Sequence, residues 1–104
     1  PDKRIVIAFH PHLYSRTRDL FDGFVAALSM ADEVIVAPIY AAREEPVPGI
    51  SSEVLADAVS KLKSAQALSD FDAIRDHLLA LGEDSLIITM GAGDIYKVAK
   101  QIAD

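Results

Sequence analysis

Ile5-Val6-Ile7-Ala8-Phe9 runs directly into His10-Pro11-His12-Leu13-Tyr14-Ser15-Arg16-Thr17-Arg18, and this junction decides the fold. The first five residues are continuously apolar and rich in β-branched side chains, the pattern of a strand buried on both faces of a parallel sheet. The nine that follow hold the chain's only close cluster of histidine and arginine, with no acid before Asp19. A buried strand that passes abruptly into a basic segment and then a helical pattern is the first half of a β-α unit.

Two further runs share the character of the first, Val34-Ile35-Val36-Ala37 and Leu86-Ile87-Ile88-Thr89-Met90, and residues 65–68 form a weaker fourth candidate. Between them the apolar period changes to that of helices. Leu20, Phe21, Phe24, Val25 and Leu28 mark one apolar face, and Val54, Leu55, Ala58, Val59 and Leu62 another. A third helix is expected after Ser69, with Asp72 completing a capping box and Gly82 ending it; a last one is expected from about Asp94 to Ile102. Strands alternating with helices imply right-handed crossovers. The expected fold is therefore α/β, Rossmann-like, a mostly parallel sheet with helices on both faces in the order 3-2-1-4. That order makes the first and last strands neighbours and opens a crevice at their carboxyl ends, bordered by residues 10–17 and 91–94. The long loop 38–49 is expected to overhang the same edge.

Composition narrows the setting. The 104 residues are 51% apolar, enough for one core without staples, and no linker or repeat divides residues 1–104, which are expected to form a single soluble domain. No apolar stretch approaches the roughly 18–20 residues of a membrane span, and the amino-terminal run is too short for a signal peptide, so a cytoplasmic setting is expected. There is no cysteine, which excludes disulfides and thiolate zinc sites. A net charge of -6 disfavours nucleic acid and anionic membranes as partners. A basic segment on an acidic domain points instead to a localised anionic ligand.

At the strand-to-helix junction, free backbone N–H groups and the helix dipole favour an anion. Arg16 or Arg18 could clamp a carboxylate or phosphate, with charge-assisted bonds worth about 1.5–3 kcal/mol. The plainer alternative is a solvated first turn capped by Ser15 or Thr17. His10 and His12 lie two apart and could share a metal, but no third ligand is evident, and no metal site is expected. Gly91-Ala92-Gly93-Asp94 has the position of a phosphate-cradling turn without the GxGxxG spacing or a P-loop lysine, so two glycines permitting a tight turn explain it equally well. Arg43 beside Glu44 and Glu45 reads by itself as a surface ion pair. No serine or lysine stands in a nucleophilic arrangement.

Taken in order, the segments "HPHLYSRTRDLFDGF", "IYAAREEPVPGISSE" and "GAGDIYKVA" closely resemble the carboxy-terminal domain of the Mur ligases, and within them the branch that adds L-alanine to UDP-N-acetylmuramate in peptidoglycan synthesis. The resemblance covers nearly the whole chain. It implies a three-domain ATP-dependent enzyme with Mg2+, in which this domain closes over a central ATPase and an amino-terminal domain for the UDP sugar. ATP would phosphorylate the muramoyl carboxylate, the alanine amine would attack the acyl phosphate, and phosphate would leave. The P-loop lysine and the metal-binding acids would lie outside this chain, which by itself is expected to hold no cofactor tightly and to be inactive.

By position, the resemblance assigns His12 and Arg16 to the alanine and muramoyl end of the site and Arg43 to the loop that reads the amino acid's carboxylate. Gly91, Ala92, Gly93 and Asp94 fall in the second site-facing loop, and Arg18 and Tyr40 join the substrate-binding set. Two departures stand out. Many family members have arginine at the position of Leu13 and glutamine at that of His10, and the family's tyrosine-glycine-histidine-histidine-proline segment is missing upstream, as though the domain begins after it. Competing possibilities are a free-standing nucleotide or acyl-phosphate module, the same domain from a Mur ligase of different specificity, and a receiver-like interaction domain, which would need acids rather than arginines after the first strand.

Overall fold

The computed structural model describes residues 3–82 and 84–91. Four strands, β1 (Arg4–His10), β2 (Glu33–Val36), β3 (Ser64–Ala67) and β4 (Ser85–Gly91), form one parallel sheet in the order β3-β2-β1-β4. This is the expected order, and the weak fourth candidate is the edge strand β3. The helices are α1 (Tyr14–Asp19), α2 (Phe21–Leu28), α3 (Ser52–Ser60) and α4 (Phe71–Leu79). The helix expected at 94–102 lies outside the described residues.

Right-handed crossovers toward β3 put α2 and α3 on one face, and the return crossover to β4 puts α4 on the other. The first face buries Ile7, Phe9, Leu28, Val34, Val36, Leu55 and Val59; the second buries Val6, Ala8, Ile35, Ile74 and Leu78. Central β1 and β2 are therefore buried on both sides, as their continuous apolar runs require. β4 is not. Leu86, Ile88 and Met90 remain exposed because their register places them beside Ile5, Ile7 and Phe9, on the face whose helices cover the β1-β2-β3 side.

Helix details depart from the periodicity in physically simple ways. The first helix breaks at Leu20, which ends α1 and caps α2 and is half exposed. α3 buries Leu55, Ala56 and Val59, while Val54 and Leu62 face out, Leu62 lying past the C-cap Lys61 with 64% exposure. α4 is capped by Asp70, whose carboxylate accepts from the Ala73 N–H at 2.7 Å, rather than by Ser69, and ends at Ala80 before Gly82. At the amino ends of the strands, His77 Nε2 lies 2.7 Å from the Glu33 carboxylate and Arg4 reaches it at 3.4 Å, tying α4 to β2 and β1. The opposite, carboxyl end is left to the loops.

Candidate functional site

Beyond β1 the chain crosses Pro11 and makes a single parallel bridge between His12 and Tyr40. The Tyr40 N–H donates to the Pro11 carbonyl and the Leu13 N–H to the Tyr40 carbonyl, both at 2.8 Å. The loop after β2 is thus zipped to the loop after β1. The His12 and Tyr40 rings stack at 5.4 Å and 15°, so two of the expected site residues are brought together, with Tyr40 half exposed. His10 is buried, its ring meeting Phe71 edge-on at 5.1 Å and Tyr40 at 6.0 Å.

α1 is preceded by its N-cap residue Leu13, whose φ of 67° turns the chain into the helix without any side-chain cap. Ser15 and Thr17 do not cap it; the buried Thr17 hydroxyl donates back to the Leu13 carbonyl at 2.8 Å. A carboxylate from the other loop fills the first turn. Glu44 Oε1 accepts from the Ser15 N–H at 3.1 Å, and Glu44 Oε2 accepts from the Ser15 hydroxyl. These bonds, the hydroxyl's first, hold the Glu44 carboxyl below the usual carboxylate range. Sequence reasoning missed this contact because its two ends are 29 residues apart and no local pattern announces it.

The three arginines separate by their engagement. Arg18 Nε donates to Asp19 at 2.8 Å, and that bond raises its already high pKa. Arg16 and Arg43 are exposed and make no ion pair among the described residues, so the surface pair expected of Arg43 with its neighbouring glutamates is not formed. Arg16 borders an open cavity of 340 Å³ with Leu13, Ser15, Asp19 and Leu20. A second cavity, of 210 Å³, lies at the ends of β2 and β3, where the buried Ser52 hydroxyl donates to the Ala37 carbonyl. Among the described residues no group of three or more histidines and acids is placed to hold a metal.

Gly91 ends β4 beside His10 at a φ of 123°, and a Cβ there would sit 2.3 Å from the His10 carbonyl oxygen. Glycine is required by that close approach, with or without a ligand. Gly91→Ala is expected to destabilise the domain by roughly 2 kcal/mol or more, from positive-φ strain plus the backbone clash; a denaturation midpoint equal to wild type would contradict this placement. Ala92, Gly93 and Asp94 lie outside the described residues.

With this geometry in place, residues 1–93 match the family described as "Mur ligase, glutamate ligase domain". The chain belongs to the Mur ligase C-terminal domain family. Relatives named UDP-N-acetylmuramate–L-alanine ligase resemble it over nearly its full length. A Xylella fastidiosa ligase is 43% identical and one from Lachnospira eligens 47%, each over 98% of this chain. One from Mycolicibacterium gilvum is 43% identical over the same share. This Mur ligase domain spans only 21–23% of the length of these three relatives. Four parallel strands with helices on both faces suit the family's Rossmann-like fold, and no helix among the described residues is long and apolar enough to cross a membrane.

Proposed function

We propose that this domain serves an ATP-dependent, ADP-forming ligase that joins L-alanine to UDP-N-acetylmuramate in the cytoplasm. In this reading residues 1–104 are the domain that closes over a central ATPase and a sugar-binding domain. The observation that carries it is the pair Arg16 and Arg43, two exposed cations without ion pairs among the described residues, one on α1 and the other on the loop after β2, segments tied together at the carboxyl ends of the strands. The family description names glutamate while the relatives name L-alanine. The relatives are the narrower comparison, matching nearly all of the chain at above 40% identity, and support alanine.

Within that reaction the domain's work is positioning. Arg16 and Arg43 hold the amino acid by its carboxylate, with His12 and Tyr40 as the wall beside them, so that its amine points toward the acyl phosphate held by the other domains. A fixed pair of guanidinium groups also lowers the energy of the negative charge that gathers as the tetrahedral intermediate forms. In this reading Mg2+ and the nucleotide phosphates would be held by the central ATPase domain rather than by this one.

Accordingly the isolated chain should release no phosphate from ATP when given UDP-N-acetylmuramate and L-alanine. Alanine-dependent release from the purified chain would overturn this division of labour. Tight binding of ATP by the chain alone would favour a free-standing nucleotide module instead.

A further inference from the structure

We infer that Glu44 is a positioning residue: its contact with Ser15 fixes the spacing of Arg16 and Arg43, and thereby the recognition of the amino acid's carboxylate. The inference rests on the ligase reading above and deepens it.

Arg43 immediately precedes Glu44 and Arg16 immediately follows Ser15, so the carboxylate contact joins the two backbones at the residues adjoining the two cations that make no ion pair among the described residues. The neighbouring contacts work in the same direction. Two backbone hydrogen bonds zip Pro11 and Leu13 to Tyr40, and the Glu44 N–H donates to the Ala41 carbonyl at 2.9 Å across a turn in which Ala42 takes a φ of 55°. The bridge at Tyr40 fixes one end of the segment and Ser52, whose buried hydroxyl donates to the Ala37 carbonyl, the other; Glu44 is the contact between those anchors that ties the segment to α1. Four residues of loop leave ample freedom for a guanidinium to move by an ångström or more, and misplacement of that size is enough to weaken a positioning interaction severely.

Glu44 has a second effect on specificity. Because its carboxylate already accepts from the Ser15 N–H and hydroxyl, a ligand anion cannot take those donors without displacing it. The ligand's carboxylate is left to the arginine side chains, which favour its planar, bidentate geometry. The ligand favoured is an α-amino acid presented by its carboxylate, with its amine free.

The test uses the complete ligase polypeptide that carries this domain. Glu44→Ala is expected to raise KM for L-alanine about tenfold while kcat stays within about twofold and KM for ATP is unchanged. Glu44→Gln, which keeps one acceptor oxygen for Ser15, should recover part of that loss. The pH profile gives a readout that a merely structural role would not move. In wild type, KM for L-alanine should rise as pH falls below the usual carboxylate range and Glu44 protonates; in Glu44→Gln that rise should be absent. An unchanged KM for alanine in Glu44→Ala overturns the inference alone. A wild-type enzyme that ignores alanine overturns the functional reading and this ligand assignment together, and the two failures are thus distinguishable. In the 104-residue chain itself, the Ser15 amide resonance should titrate with a depressed carboxyl pKa and lose that titration in Glu44→Gln; a flat Ser15 resonance in wild type would refute the contact.

Discussion

Ile35→Ala is expected to remove about 3 kcal/mol of folding stability, within the roughly 2–5 kcal/mol range of buried isoleucine truncations. Ile35 is fully buried on central β2, between the backbones of β1 and β3, and packs with Val6, Ala8, Ile74 and Leu78 under α4. A strand hydrogen-bonded on both sides cannot collapse into the space left behind, so most of the cavity persists. For a domain whose total stability is on the order of 5–15 kcal/mol this is a large fraction, and the melting temperature should fall by roughly 12–20 °C. Chemical denaturation should show a lower midpoint at unchanged slope. Leu62→Ala is the informative control. Leu62 continues the apolar period of α3 but stands 64% exposed, so its truncation should stay within about 0.5 kcal/mol. Equal losses at the two positions would contradict the packing described above.

Arg16→Ala should lower kcat/KM for L-alanine at least tenfold in the complete enzyme, about 1.4 kcal/mol of transition-state stabilisation. Arg16 is exposed on the first turns of α1, beside the open cavity and next to the residue latched by Glu44, and has no ion-pair partner among the described residues. Arg18, two residues on, is already engaged with Asp19, and its removal should matter far less, as expected of an exposed pair. A complete enzyme in which Arg18→Ala is damaging and Arg16→Ala is silent would place the ligand on the other side of α1. Arg43→Ala should resemble Arg16→Ala in sign. Their joint loss should be less than the product of the single losses if both hold one carboxylate, as neighbouring sites couple.

The sheet was legible because its signals are local. Five consecutive apolar residues at Ile5–Phe9 suit only a strand covered on both sides, and alternation with helical periods leaves few topologies. The same locality misled at Leu62 and Val54, where the period continues but the helix has ended or turned, and at β4, whose apolar run looks like that of β1 although one side of it is exposed. Helix capping was read one residue early at Ser69 because Ser69 and Asp70 are both good caps, and only geometry shows that Asp70 reaches the Ala73 N–H.

The site was half legible. The cations were conspicuous in an acidic chain, and the turn after β1 pointed to an anion. What the residues could not disclose was which donors were already taken: Glu44 reaches Ser15 from a different loop, Arg18 turns to its neighbour, and Gly91 is required by the His10 backbone. Each of these is a long-range or conformational fact, invisible to spacing. Among the expected contacts they give Arg18 and Gly91 other engagements, while Ala92, Gly93 and Asp94 lie outside the described residues.

The most direct measurement is phosphate release by the complete polypeptide as L-alanine is titrated at saturating ATP and UDP-N-acetylmuramate. Saturable release that requires both the sugar nucleotide and L-alanine, with glycine and D-glutamate much poorer, is the predicted result. Release that is indifferent to L-alanine, or that another amino acid drives better, would contradict the assignment of this domain to an alanine-adding ligase.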